Sequence, residues 1–263
     1  MEQLKKVLTK DDIVRGLRKL GVKEEMIIEV HCAMHSFGYV LGGAQSVVDA
    51  LLEAVGPDGT VVMTIQASDN TEPSFWIAPP ISRSLWKTVR EETPPFKPDE
   101  TEFRMMGSVV RNFNRRKGVW CSKHPSCAFA AYGKYAEIIT KEHELNFPLG
   151  EKSPLGVMYV LPTQILLLGV GYDNCTGMHL GEVRSNVRRI FLQGSAIEEN
   201  GKRKWVKYVD YALNSDEFPE IGQKMEKRII VKKGKIGNAD CRLFSFKEAV
   251  DFTEKYLKEK YPL

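Results

Sequence analysis

No two of the five cysteines (Cys32, Cys121, Cys127, Cys175, Cys241) stand in Cys-x-x-Cys spacing, and their number is odd. This disfavours a disulfide framework and a structural zinc site, and predicts reduced thiols. No run of eighteen apolar residues is present, so no membrane-spanning helix is expected. The opening Met1–Lys6 lacks the apolar stretch of a signal peptide, which predicts a cytoplasmic protein. Histidine is scarce, five in all, and His31, His124 and His179 show no His-x-His or His-x-x-x-His spacing among themselves, so no metal is expected. A net charge of +4 over 263 residues is mild, and the basic residues do not gather on one helix with interleaved aromatics. Neither nucleic acid nor membrane is therefore an expected partner, although a basic balance suits a polyanionic cofactor. An apolar content of 43% is ample for one large α/β domain.

The richest stretch is 165–182. Ile165 to Leu168 is short and uniformly apolar and is closed by Gly169 and Gly171, which predicts a strand covered on both faces. Polar residues follow at once: Asp173, Asn174, Thr176, His179 and Glu182. In open α/β sheets ligands collect at the carboxyl ends of strands. A helix beginning near Thr176 places His179 and Glu182 at i and i+3, where the carboxylate can hold the imidazole. That pairing is half of a general-base dyad.

Upstream, Thr9 and Asp12 form an N-cap ahead of Ile13, Leu17 and Leu20, with Gly21 as the stop. Met26–Val30 and Thr60–Ile65 read as strands around a helix carrying Val47, Val48, Leu51, Leu52 and Val55. Before that helix lie Gly42 and Gly43, where bare N–H groups at a helix start suit a phosphate. They form neither a dinucleotide fingerprint nor a P-loop, and a tight turn explains them as well. Ser68–Pro98 holds six prolines and two tryptophans and reads as an excursion lining a site, with Asp69 and Glu72 as an acidic lip, or as a solvated turn with aromatic anchors. Phe103–Phe113 and Lys134–Glu144 are predicted helices, and Phe147–Gly156 a connection that Met158 and Tyr159 follow into the central strand. Asn200-Gly201 predicts a hairpin between Arg189–Ile197 and Lys202–Tyr208. Ile229–Val231 is a predicted strand, and Phe246–Leu257 an amphipathic helix.

Taken together, six motifs resemble the aminoglycoside 3-N-acetyltransferases, which are acetyl-CoA-dependent and do not use the GNAT fold. They are His31…Ser36-Phe-Gly-Tyr-Val-x-Gly-Gly-Ala, Met106-Gly-Ser, His124-Pro…Phe129-Ala-Ala-x-Gly, Gly150-x-x-Ser-Pro-Leu-Gly, Leu167-Leu-Gly-Val-Gly-Tyr-Asp-x-x-Thr-x-x-His-Leu-x-Glu182, and Lys235-x-Gly-Asn-Ala-x-x-Arg-Leu. The likeness runs from about residue 8 to 258. It implies a single α/β domain over 1–263: a mixed central sheet flanked by helices, an inserted helical region at about 68–120, and a C-terminal β extension at about 186–235. It also implies acetyl transfer from acetyl-CoA to the 3-amino group of the 2-deoxystreptamine ring of an aminoglycoside, and so antibiotic resistance, by a monomer or homodimer.

By that resemblance His179 is the catalytic base and Glu182 its orienting acid. The chemistry agrees, since an ammonium must lose a proton before its nitrogen attacks a thioester. Ser36, Phe37, Gly38, Gly43 and Ala44, with Gly107 and Ser108, are the implied cofactor cradle. Here the chain departs from its relatives, with Cys32, Ala33 and His35 where small hydroxyl residues are usual, and His35 is a candidate replacement contact. A cationic acceptor needs carboxylates, and Asp69, Glu72 and Asp173, with Asn174 and Thr176, are the candidates, ahead of Asp210, Asp216, Glu217 and Glu220. Three alternatives stand beside this reading: the same fold acetylating a non-aminoglycoside amine, a metal-dependent hydrolase using His31, His124, His179 and Asp173, and a non-enzymatic CoA- or nucleotide-binding protein.

Overall fold

A computed structural model describes residues 7–104 and 106–262. Met1–Lys6, read above for a missing signal peptide, and Met105, inside a predicted helix, lie outside the described residues.

The chain opens with α1 (Lys10–Leu20), started by a reciprocal Thr9–Asp12 capping box and stopped by left-handed Gly21. β1 (Ile27–Cys32), α2 (Gly43–Val55) and β2 (Thr60–Gln66) follow as a parallel crossover unit. Then come α3 (Trp86–Glu92), α4 (Ser108–Asn114), β3 (Trp120–Cys121), β4 (Cys127–Gly133), α5 (Ala136–Thr140), α6 (Pro154–Val160) and β5 (Thr163–Leu168). The C-terminal part holds α7 (Met178–Ser185), β6 (Ile190–Glu199), β7 (Lys202–Tyr211), α8 (Phe218–Met225), β8 (Val231–Ile236), β9 (Ala239–Ser245) and α9 (Phe246–Lys260).

Seven strands form one mixed sheet in the order β3-β4-β2-β1-β5-β9-β8, and β6 pairs only with β7. β1 lies between β2 and β5, parallel to both, so the connections leaving β1 and β5 part at the carboxyl edge of the sheet. A crevice opens where connections diverge in this way, and the site lies there. Alternation along β1 sends Ile28 and Val30 to the face covered by α1, α2 and α4, and Ile27 to the face covered by α5 to α9. Glu29 and His31 share Ile27's parity and point toward α7.

The hairpin β6–β7 turns through Asn200 and Gly201, both at positive φ, as the Asn-Gly signal predicts. Buried Asn70 clamps it to the excursion after β2. Its side chain donates to the Ala196 carbonyl at 2.9 Å and accepts from the Ala196 N–H at 2.7 Å, standing in for a missing strand.

Several elements differ from the sequence expectation. Helix begins only at Ser108, because Gly107 is an extended N-cap. The Lys134–Glu144 helix shrinks to Ala136–Thr140, since His143 turns inward to bond Ser122 Oγ (2.9 Å) and the Pro148 carbonyl (2.8 Å). Met158 and Tyr159 lie in helix rather than strand, capped by Ser153 with Pro154 in the first turn. The predicted Ile229–Val231 strand starts at Val231 and continues to Ile236, where Gly237-Asn238 turns it into β9.

Candidate active site

The Leu-rich β5 ends at Leu168, and the chain leaves the sheet through Gly169, held at positive φ with no space for a Cβ beside Ser36. A short turn at Tyr172–Asn174 leads to α7. On that helix His179 Nδ1 lies 2.7 Å from Glu182 Oε2. Glu182 is fully buried; its other oxygen accepts from Arg188 Nε and, at 2.9 Å, from the Asn214 N–H. Two donors hold the carboxylate from behind, so the imidazole gives it the Nδ1 hydrogen and keeps a lone pair on Nε2. Phe218 packs on the ring at 4.7 Å between centroids. The sequence reading missed Arg188 and Asn214, for neither stands at a helical interval that links it to Glu182.

His179 lines a cavity of about 300 Å³ together with His31, Gln66, Gly107, Asp173 and Ser215. Asn174 and Thr176 also line it. Asp173 is exposed there and has no ion-pair partner among the described residues. Asp69 and Glu72 lie elsewhere. Asp69 pairs with Arg104 at 3.0 Å. Glu72 is buried, which alone raises its pKa, but the Arg90 guanidinium at 2.5 and 3.1 Å and the Ser74 N–H hold it below the usual carboxylate range. Both acids reach a cation only by releasing an arginine. Asp210 does not line the cavity, and burial pushes its pKa up to about 7.

Only three residues of the implied cofactor cradle line a cleft. Gly107 borders the cavity, while Ala44 and Ser108 border a second cleft that also holds Arg111, Arg115 and Arg116. Gly107 and Ser108 are consecutive, so the start of α4 separates the cavity from the second cleft. Gly43 starts α2 with open space where a side chain would stand. Ser36 Oγ is engaged by the Gly169 carbonyl at 2.8 Å, Phe37 is buried in the core, and His35 and Gly38 are exposed. Arg116 pairs with Asp49, whereas Arg111 and Arg115 have no ion-pair partner among the described residues. The arginines escaped the sequence reading because their spacing follows a helix and matches no phosphate motif.

Cys175 is buried beneath the turn before α7, and burial pushes its thiol well above the ordinary value. A neutral, enclosed thiol is a poor nucleophile. His124 is also committed elsewhere. Its Nε2 faces the Leu145 carbonyl at 3.1 Å and its Nδ1 accepts from the Cys127 N–H at 3.0 Å, while burial and His143 push its pKa down to about 3. Among the described residues no three histidine, cysteine or acidic side chains converge as metal ligands.

A family model described as aminoglycoside 3-N-acetyltransferase matches residues 30–258. The chain is 40% identical over 249 residues to the SPbeta prophage-derived aminoglycoside N(3')-acetyltransferase-like protein YokD of Bacillus subtilis (strain 168), covering 94% of this chain and 92% of that one. The YokD crystal structure superposes with a TM-score of 0.91, covering 95% of this chain and 98% of that one. Aminoglycoside N(3)-acetyltransferase VII of Streptomyces paromomycinus is 29% identical over 274 residues, covering 96% and 92%. A room-temperature structure of sisomicin-bound AAC-VIa, 25% identical, superposes with a TM-score of 0.86, covering 97% and 100%. The chain belongs to the aminoglycoside 3-N-acetyltransferase family. It is accordingly an acyltransferase, with a mixed α/β fold shared with those enzymes.

Proposed function

We propose that this protein transfers an acetyl group from acetyl-CoA directly to the 3-amino group of a 2-deoxystreptamine aminoglycoside, with His179 as general base. The observation that carries the reading is the buried Glu182–His179 pair at 2.7 Å on the wall of the cavity. The amine nitrogen attacks the thioester carbon while His179 Nε2 takes its proton; the N–C bond forms, the C–S bond breaks, and the electron pair leaves on sulfur. Glu182 stabilises the imidazolium that results. A thiol-release assay with acetyl-CoA and a panel of aminoglycoside and other amines tests this, and turnover only with non-aminoglycoside amines overturns the acceptor assignment.

Cosubstrate and acceptor approach from different sides in this reading. The cleft at Ala44, Ser108, Arg111 and Arg115 lies one residue from Gly107 of the cavity wall, a placement that suits a long anion whose reactive thioester is at one end. Replacing both Arg111 and Arg115 with alanine is expected to raise the KM for acetyl-CoA several-fold and to leave kcat and the acceptor KM unchanged. Equal effects on both substrates in steady-state kinetics would count against the placement.

Asp173 is the open carboxylate for an acceptor ammonium. A charge-assisted hydrogen bond contributes about 1.5 kcal/mol, so Asp173→Asn is expected to raise the acceptor KM about tenfold. The variant should also lose part of the salt dependence seen in the parent, because the attraction it removes is a screened one. Binding measured across a series of salt concentrations checks this, and an affinity indifferent to both changes contradicts it.

A further inference from the structure

We infer that Glu29 and His31 form a second carboxyl–imidazole pair, and that His31 hydrogen-bonds the carbonyl oxygen of the acetyl group through Nδ1. The inference rests on the acetyl-transfer reading above and assigns the charge that reading leaves without a partner. As nitrogen attacks the thioester, the carbonyl electron pair moves onto oxygen, and an oxyanion in a closed cavity needs a donor.

Glu29 is 0% exposed, and neither carboxyl oxygen has a hydrogen-bond partner. It lies on the face of the sheet covered by apolar side chains. A Cβ placed on Gly177 would stand 2.6 Å from Glu29 Oε2, 2.7 Å from Phe246 and 3.1 Å from Ile165, so glycine at 177 leaves the space the carboxyl occupies. An isolated buried carboxyl costs several kcal/mol, roughly, and a stability role does not account for it. His31 Nε2 lies 3.4 Å from Oε1. A small ring rotation closes that gap, and such bonds are commonly long before substrate binds.

Thr176 N–H also points at His31 Nε2, at 3.3 Å. An Nε2 that accepts this N–H carries no hydrogen, so the ring hydrogen is on Nδ1, and the proton the pair needs is on the carboxyl, whose O–H faces the same Nε2 lone pair. Nδ1 is then a donor. It has no protein partner among the described residues and is not among the sealed polar atoms, and His31 lines the same cavity as His179. β1 runs from His31 into the loop of Ser36 to Ala44, so this histidine is on the cosubstrate's side. His31 is then a catalytic residue, and Glu29 a positioning residue acting through it.

The test uses the whole protein with acetyl-CoA and an accepted aminoglycoside. His31→Leu is expected to lower kcat about 10²-fold, as loss of one oxyanion donor does, while the KM for either substrate changes little. His31→Asn, whose amide nitrogen stands near the place of Nδ1, should recover most of that loss. Glu29→Met should lower kcat while leaving Tm unchanged or higher, because an apolar side chain suits the pocket better than a carboxyl; a purely structural Glu29 gives the opposite pair of changes. The infrared carbonyl band of carbon-13-labelled acetyl-CoA, bound without any amine, should shift to lower wavenumber on the parent and return toward the free value on His31→Leu. A His31→Leu enzyme within threefold of an active parent, or an unshifted carbonyl band on the parent, overturns this inference alone. A parent that transfers no acetyl group overturns the underlying reading and this inference with it.

Discussion

His179→Ala is expected to lose about 10²-fold or more in kcat, the usual contribution of a positioned general base. The KM values for acetyl-CoA and acceptor should change far less, because the ring takes part in proton removal rather than in holding either substrate. Cys175→Ala is the matched control. The buried thiol lies four residues before His179 in the sequence and, once raised above its ordinary pKa, is not a thiolate at neutral pH. Its replacement should leave kcat within a few-fold of the parent. The opposite ranking in steady-state kinetics, with Cys175→Ala inactive and His179→Ala active, would overturn the assignment of roles.

Glu182→Gln should cost nearly as much, about 10²-fold in kcat. Glutamine has the same shape but one face of its amide donates. If the NH₂ turns to His179, Nδ1 becomes the acceptor, the ring hydrogen moves to Nε2, and the base is blocked. If the NH₂ turns to Arg188, its oxygen still accepts from Nδ1, but donors meet in a buried site and a neutral amide no longer stabilises the imidazolium. Either way the base is weakened. Nitrogen-15 shifts of the His179 ring read the tautomer directly: the parent should carry its hydrogen on Nδ1, and the variant should show a changed ring. A variant with parental kcat and an unchanged ring would mean that Glu182 is structural.

The dyad was legible because it is local. His179 and Glu182 stand at i and i+3 directly after a buried strand, so spacing alone brings them together, and the observed 2.7 Å is what a helix gives. Arg188 and Asn214 were not legible, since they reach Glu182 through loops whose course depends on tertiary packing. The same distinction sorts the elements. The Thr9 capping box and the Asn200-Gly201 turn carry their own backbone chemistry and were read correctly, whereas the Lys134–Glu144 periodicity lost to a buried histidine contact that no local pattern encodes. Ser153-Pro154 was a usable helix start that the surrounding glycines masked. Asp69 and Glu72 are acids of the right kind in the right excursion, yet their charges are met by Arg104 and Arg90, distant partners that a sequence cannot pair. Glu29 sat inside a predicted buried strand, and a carboxyl there was itself a signal, since such residues are almost never fully buried without a partner.

The most direct test of single-step transfer by His179 is the initial rate with acetyl-CoA varied at several fixed concentrations of an accepted aminoglycoside. Attack by the amine on bound acetyl-CoA requires both substrates on the enzyme at once, and the reciprocal plots should intersect. Parallel plots would mean that the acetyl group is first transferred to the protein, and would contradict the account.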